Sequence, residues 1–61
     1  MSVLVRRRTR DGVQEERIVW PPGWPLPTQG MILLGRELAG WVEHVELDIA
    51  GAQVIVVLRP Q

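Results

Sequence analysis

Few side chains in this sequence are suited to chemistry, and the three most suggestive ones alternate along a single run. His44, Glu46 and Asp48 are groups that can bind a metal ion or transfer a proton. Residues two apart on a strand lie about 7 Å apart, which is too far for chelation unless the side chains converge. There is no cysteine and no second histidine, and Ser2 is the only serine. The spacing favours an exposed polar strand face, so we expect a protein that is not an enzyme and holds no metal or cofactor.

Arginine is the second kind of side chain that could bind a ligand, because its planar guanidinium suits phosphate. Four of the seven arginines lie within residues 6–10. Strand alternation would place these candidate nucleic-acid contacts on one face: Arg6, Arg8, Arg10 and Arg17. A formal charge of zero argues against a general polyanion binder. Glu15 and Glu16 would lie opposite the arginines, so we favour a solvated hairpin tip that neutralises itself.

A hairpin over residues 1–20 is predicted to position the arginines. Asp11-Gly12 is typical of a two-residue turn in which both central residues have φ > 0. This turn predicts five cross-strand pairs: Arg10 with Val13, Arg8 with Glu15, Arg7 with Glu16, Val5 with Ile18, and Val3 with Trp20. Apolar pairs would then anchor the base of the hairpin, while its charged tip would extend into water.

A proline-rich crossover follows over residues 21–29. Its four prolines exclude a central strand and the interior of a helix, and they favour an extended, polyproline-like path. Trp24 and Leu26 are its large apolar side chains. We expect both to fold down as a lid, with the alternative that Trp24 anchors a binding partner.

The next apolar run, residues 31–34, is short and is bounded by Gly30 and Gly35. We predict a strand here. The alternative is a helix over residues 28–39, which two interior glycines would weaken by about 1 kcal/mol each.

A second hairpin is predicted to join residues 41–49 to residues 52–59. Its turn has two possible registers. We favour a type I turn from Asp48 to Gly51 closed by a glycine bulge, because the alternative loop of Ala50-Gly51 alone would need φ > 0 at alanine.

The run 54–58 is apolar at every position, as in strands that are covered on both faces. A closed barrel or a second chain would provide that cover. Ile55 and Val57 are therefore candidate contact residues.

Over residues 30–58 the sequence resembles KOW domains and related SH3-like small barrels. The resemblance rests on two motifs, the run GRELAGWVEHV at positions 35–45 and Val54-Ile55-Val56. The resemblance implies a glycine loop that feeds a strongly bent strand, with Val42 and Val45 both directed inward.

In function, the resemblance implies two kinds of partner. KOW domains commonly bind RNA or proteins of ribosomes and transcription, and other SH3-like barrels bind peptides or methylated side chains. The loop 36–39 is nearly neutral here, whereas loops that bind RNA in KOW domains tend to be basic. An aromatic cage has no counterpart, since the three tryptophans are scattered and Tyr and Phe are absent.

We therefore expect residues 1–61 to form one all-β domain, a five-stranded SH3-like barrel of two hairpins joined by the crossover and a short strand. Its parts would be an arginine-tipped hairpin (1–20), the Pro/Trp crossover (21–29) and a KOW-like portion (30–61). A chain this short buries only about 60% of its unfolded surface, and no disulfide or metal site is available to reinforce it.

The expected function is a protein-interaction module or assembly subunit that self-associates, as a homodimer or larger assembly. Its candidate contacts are Trp24, Leu26, Ile55 and Val57. Opposite charge supports such contacts, since residues 1–20 carry five arginines against three acids and residues 30–61 carry two against four. The alternative is an accessory protein that binds nucleic acid through its arginine face. No apolar run approaches the roughly 20 residues of a membrane helix, so a cytoplasmic location is expected. We expect no small-molecule substrate.

Overall fold

Five strands make up the regular structure: β1 (Ser2–Thr9), β2 (Gly12–Val19), β3 (Ile32–Leu34), β4 (Ala39–Asp48) and β5 (Gln53–Leu58). This computed structural model describes residues 1–61, which form one mixed sheet in the order β2-β1-β5-β4-β3. The sheet curls into a half-barrel. Two antiparallel hairpins, β1–β2 and β4–β5, are joined through a parallel pairing of β1 with β5. The all-β, five-stranded prediction is confirmed, and no helix occurs over residues 28–39.

The first hairpin forms, but the predicted register is wrong by two residues. Thr9 pairs with Gly12, so the turn residues are Arg10 and Asp11. Neither turn residue has a positive φ; the glycine that follows the turn has a φ of 144°. A shift of two residues leaves every side chain on its predicted face, because strand side chains alternate with a period of two.

The new register changes the cross-strand partners. Arg6, rather than Arg8, lies opposite Glu15, and Val5 lies opposite Glu16. Glu16 is thereby separated from Arg7, its predicted partner. In this register Glu16 makes a tertiary contact with a distant part of the chain. The residues of the turn alone do not predict such a contact.

The second hairpin has a longer turn than either predicted alternative. Asp48 pairs with Gln53, which leaves a four-residue loop closed by a hydrogen bond from Ala52 N to Ile49 O at 3.2 Å. The positive φ, 51°, falls on Ala52 and not on Gly51. The prediction failed because it assigned the left-handed position to the only glycine in the turn.

The concave side of the sheet holds the core. It is lined by buried side chains from four strands and the loop after β3: Val3, Val5, Leu33, Leu38, Val42, Val54, Val56 and Leu58. A bulge in β4 between Val42 and His44 shifts the pairing with β5. Val45 packs against the core as a partly buried residue. Both valines thus face inward, as the resemblance implied for a bent strand.

The convex side of β5 is covered by the chain itself. Ile55 lies between Leu4 of β1 and Glu46 of β4, and it is only 6% exposed. Leu4 is also buried, and Val57 is half-buried. The apolar strand therefore needs no second chain to cover it, because Ile55 and Leu4 are already buried within this chain.

Candidate interaction surfaces

The open side of the half-barrel lies between β2 and β3, the two edge strands. Each pairs on one side only, β2 with β1 and β3 with β4. An apolar cleft of about 460 Å³ separates them. Its main side chains are Ile18, Val19, Trp20, Trp24, Ile32 and Leu34. Val19 and Leu34 are 81% and 82% exposed, so the cleft presents both apolar side chains and unpaired strand edges.

The floor of the cleft is built from the proline-rich crossover. The indole Nε1 of Trp20 donates to the backbone oxygens of Trp24 and Pro25, each at 3.3 Å. The two tryptophan rings meet edge to face, with centroids 6.4 Å apart. Leu26 is half-buried against the core and Pro27 is buried, so this part of the segment packs down as expected. Trp24 itself stays exposed at the mouth of the cleft.

The other end of the open side is closed by Glu16. Its carboxylate accepts three consecutive backbone N–H groups, from Arg36 at 3.0 Å, Glu37 at 2.9 Å and Leu38 at 2.8 Å. These bonds, that from Leu38 foremost, lower the pKa of Glu16 from its ordinary value of 4.5. A side chain at Gly35 would collide with this arrangement, since a Cβ there would lie 2.8 Å from Glu16 Oε1. Glu16 thus ties β2 to the loop that precedes β4.

Arg7 spans the same end on the concave side. Its guanidinium donates to Gln14 Oε1 at 2.8 Å and to the backbone oxygen of Ala39 at 3.2 Å. Its Nε is buried without a partner. Sequence reasoning assigned no such role to Arg7 or Glu16. The available signal was strand alternation, which places both residues on the face of Val5.

The arginine face predicted for nucleic acid is only partly assembled. Arg6 and Arg8 lie on the convex side of β1, and Arg17 lies on the same side of β2, whereas Arg10 belongs to the turn. Arg6 is paired with Glu15 at 2.7 Å. Arg17 reaches only Ser2 Oγ, at 3.5 Å, and has no carboxylate within 4 Å.

Acidic groups share this convex surface. His44 lies between Glu43 at 3.4 Å and Glu46 at 2.9 Å, and these three residues line a shallow cavity together with Arg6 and Arg8. The convex side is therefore mixed in charge.

Asp48 does not join His44 and Glu46. Its carboxylate instead accepts the Gly51 N–H and the Gln53 side-chain amide, each at 3.0 Å. Both bonds, the one from Gln53 foremost, lower the pKa of Asp48. No cluster of three side chains capable of holding a metal ion is formed.

A second exposed apolar patch lies outside the cleft, around the tip of the β4–β5 hairpin. Leu47 and Ile49 are its most exposed members, and Met1 lies beside them. Of the four candidate contact residues, the cleft includes Trp24 but not Leu26, Ile55 or Val57.

Comparison with known proteins identified no relative. No family model, curated protein or solved structure matches this chain. None of the chain forms a helix that is long and apolar enough to cross a membrane.

Proposed function

We propose that this chain is a non-enzymatic protein-interaction module that self-associates, as a homodimer or as a subunit of a larger assembly. The observation that carries the proposal is the open side of the half-barrel, where two unpaired strand edges flank an apolar cleft. Exposed edges pair readily with other strands, and an apolar cleft beside them adds burial to that pairing.

The exposed area supports the same proposal. A compact monomer of this mass exposes about 4,000 Å² by the usual scaling of area with mass. This chain exposes 4539 Å². A standard protein interface covers about 800 Å² on each partner. The excess is therefore of the order that one interface would remove.

The half-barrel is compatible with an SH3-like small barrel. We propose the KOW-like relationship on the glycine-loop and valine pattern alone. Within that fold, the partner most consistent with the mixed charge of the surface is another protein.

Sedimentation velocity at micromolar concentrations tests the proposal. We expect the wild-type chain to sediment as a dimer or larger species. Leu34→Glu, which places a charge in the cleft, should lower the mass. Ile49→Glu is the matched control, because it places the same charge on an exposed apolar residue that does not line the cleft. A wild-type monomer at the highest soluble concentration would overturn self-association.

Nucleic-acid binding is the second candidate function, and one observation favours it. Arg8 and Arg10 have no carboxylate within 4 Å, so both guanidinium groups are free for phosphate. The test is fluorescence anisotropy with mixed-sequence RNA and DNA at low ionic strength. Binding through phosphates must weaken steeply with salt and must weaken again in Arg8→Glu. Absence of binding at low ionic strength would exclude this function.

A further inference from the structure

We propose that two copies of this chain associate edge to edge through their β2 strands, in the antiparallel register centred on Glu16. The proposal rests on the self-association proposed above, and it adds the strand, the direction and the register. Its basis is the set of backbone groups and charges that β2 leaves without partners.

The free edge of β2 carries the backbone groups of its odd-numbered residues. Trp20 N donates to Met1 O at 2.6 Å, and β1 pairs with β2 without interruption from this point to Gly12. In an antiparallel ladder, residues alternate between pairs that exchange hydrogen bonds and pairs that do not. Even-numbered residues therefore bond to β1. Four odd-numbered residues direct their N–H and C=O groups to the free edge: Val13, Glu15, Arg17 and Val19.

These four residues are self-complementary about Glu16. In the centred register, Glu15 lies opposite Arg17 of the partner subunit, and Val13 lies opposite Val19 of the partner subunit. Each pair occurs twice by symmetry, as a two-fold interface requires. Opposite charges and apolar side chains directly across from each other each stabilise a strand pair by about 0.2–1 kcal/mol.

Neighbouring registers lack this match. Moving the partner by two residues in one direction places Glu15 opposite Glu15 of the partner subunit. Moving it by two in the other direction places Arg17 opposite Arg17 of the partner subunit. Charged residues on an edge normally prevent edge-to-edge pairing. Here they permit one register and oppose those on either side of it.

The monomer leaves these groups unsatisfied. Arg17 has no carboxylate within 4 Å, and its only polar contact is Ser2 Oγ at 3.5 Å. Glu15 uses Oε2 for Arg6, so Oε1 is available to a second arginine. Val13 and Val19 are both exposed. The centred register would give Arg17 a carboxylate and would cover both valines.

Glu16 lies on the proposed two-fold axis, where two like charges would approach each other. Its side chain belongs to the concave face, and its carboxylate is already held by three backbone N–H groups of its own chain. Donors of this kind stabilise the charge within each subunit. The axis therefore carries two charged carboxylates, each already hydrogen-bonded within its own subunit.

Complementary charge variants provide the test. Glu15→Arg should weaken dimerisation by about tenfold, because it replaces two attractive pairs by two repulsive ones. Arg17→Glu should weaken dimerisation by a similar factor, because it places a glutamate opposite Glu15 of the partner subunit. An equimolar mixture of the two variants should form a heterodimer with near wild-type affinity, since each arginine then meets a glutamate. Arg8→Glu, the same charge change on β1, is the control and should leave the dimer unchanged.

Sedimentation velocity and native mass spectrometry distinguish the outcomes, and near-ultraviolet circular dichroism of the tryptophans reports whether each variant is folded. Heterodimer formation would support the register and would also show that both variants fold. A wild-type dimer that both variants preserve, or a mixture that does not pair, would overturn the β2 register while leaving self-association intact. A monomeric wild-type chain would overturn both.

Discussion

The carboxylate of Glu16 accepts the backbone N–H of Leu38 at 2.8 Å, across a separation of 22 residues. Arg36 and Glu37 donate to the same carboxylate. One side chain on the edge strand β2 therefore holds the loop that joins β3, the opposite edge strand, to β4. β2 and β3 are not joined by a ladder, so the hydrogen bonds of Glu16 link β2 to the other side of the opening.

The first prediction concerns acid stability. The three amide donors hold the pKa of Glu16 below its ordinary value of 4.5, so the folded state binds its proton less readily than the unfolded state. The resulting stability is present above pH 4.5 and is lost as the pH falls through the lower, folded pKa. The free energy of unfolding, measured by urea denaturation, should fall over that acidic range.

Glu16→Gln isolates this contribution. The variant should be less stable than the wild type at neutral pH and should show a flatter dependence on pH in the acidic range. Asp48 also has a lowered pKa, so Asp48→Asn should remove a separate part of the acid slope. Equal slopes in the wild type and Glu16→Gln would contradict the role assigned to Glu16.

The second prediction concerns the close approach at Gly35. A Cβ there would lie 2.6 Å from the backbone oxygen of Leu38 and would also crowd Glu16. Gly35→Ala should therefore lower the free energy of unfolding by about 1–3 kcal/mol. Gly40→Ala is the matched control, because its Cβ would meet only Leu58 Cδ1 at 3.8 Å. It should raise stability by about 0.5 kcal/mol, since alanine is favoured over glycine within a strand. Equal effects of the two substitutions would refute the steric argument.

The third prediction concerns the β4–β5 turn. Ala52 has a φ of 51°, where an alanine is strained and a glycine is not. Ala52→Gly should raise the free energy of unfolding by about 0.5–1 kcal/mol, after the greater flexibility of glycine in the unfolded chain is subtracted. Gly51→Ala should have the opposite sign, because its Cβ would overlap the Asp48 carboxylate. Thermal denaturation of the two variants checks both signs, and a destabilised Ala52→Gly would contradict the assigned conformation.

The fourth prediction separates core from contact residues. Ile55 is buried in the isolated chain, so Ile55→Ala should cost about 2–3 kcal/mol of stability. Trp24 is exposed and loses mainly its edge contact with Trp20, so Trp24→Ala should cost about 0.5–1.5 kcal/mol. Chemical denaturation measures both. A larger cost for Trp24→Ala than for Ile55→Ala would reverse the assignment.

The candidate site could be predicted only in part. The segment that holds Trp24 and Leu26 was identified because large apolar side chains among prolines stand out in a short chain. Glu16 was missed as a tether because its donors are backbone groups, and a sequence pattern does not show which amides a carboxylate will meet. The sequence did not show what covers Ile55 on the convex face, because its burial depends on the neighbouring strands; its role as a contact residue stays a prediction.

The sequence by itself determined the all-β class, both hairpins and the crossover between them, because alternation, prolines and turn residues act over a few neighbouring positions. Only the tertiary structure decided the register of each hairpin, the parallel pairing of β1 with β5 and the open side between β2 and β3. Those features depend on contacts between distant segments, such as Glu16 with the loop before β4. Such contacts form only when the sheet curls and brings the segments together.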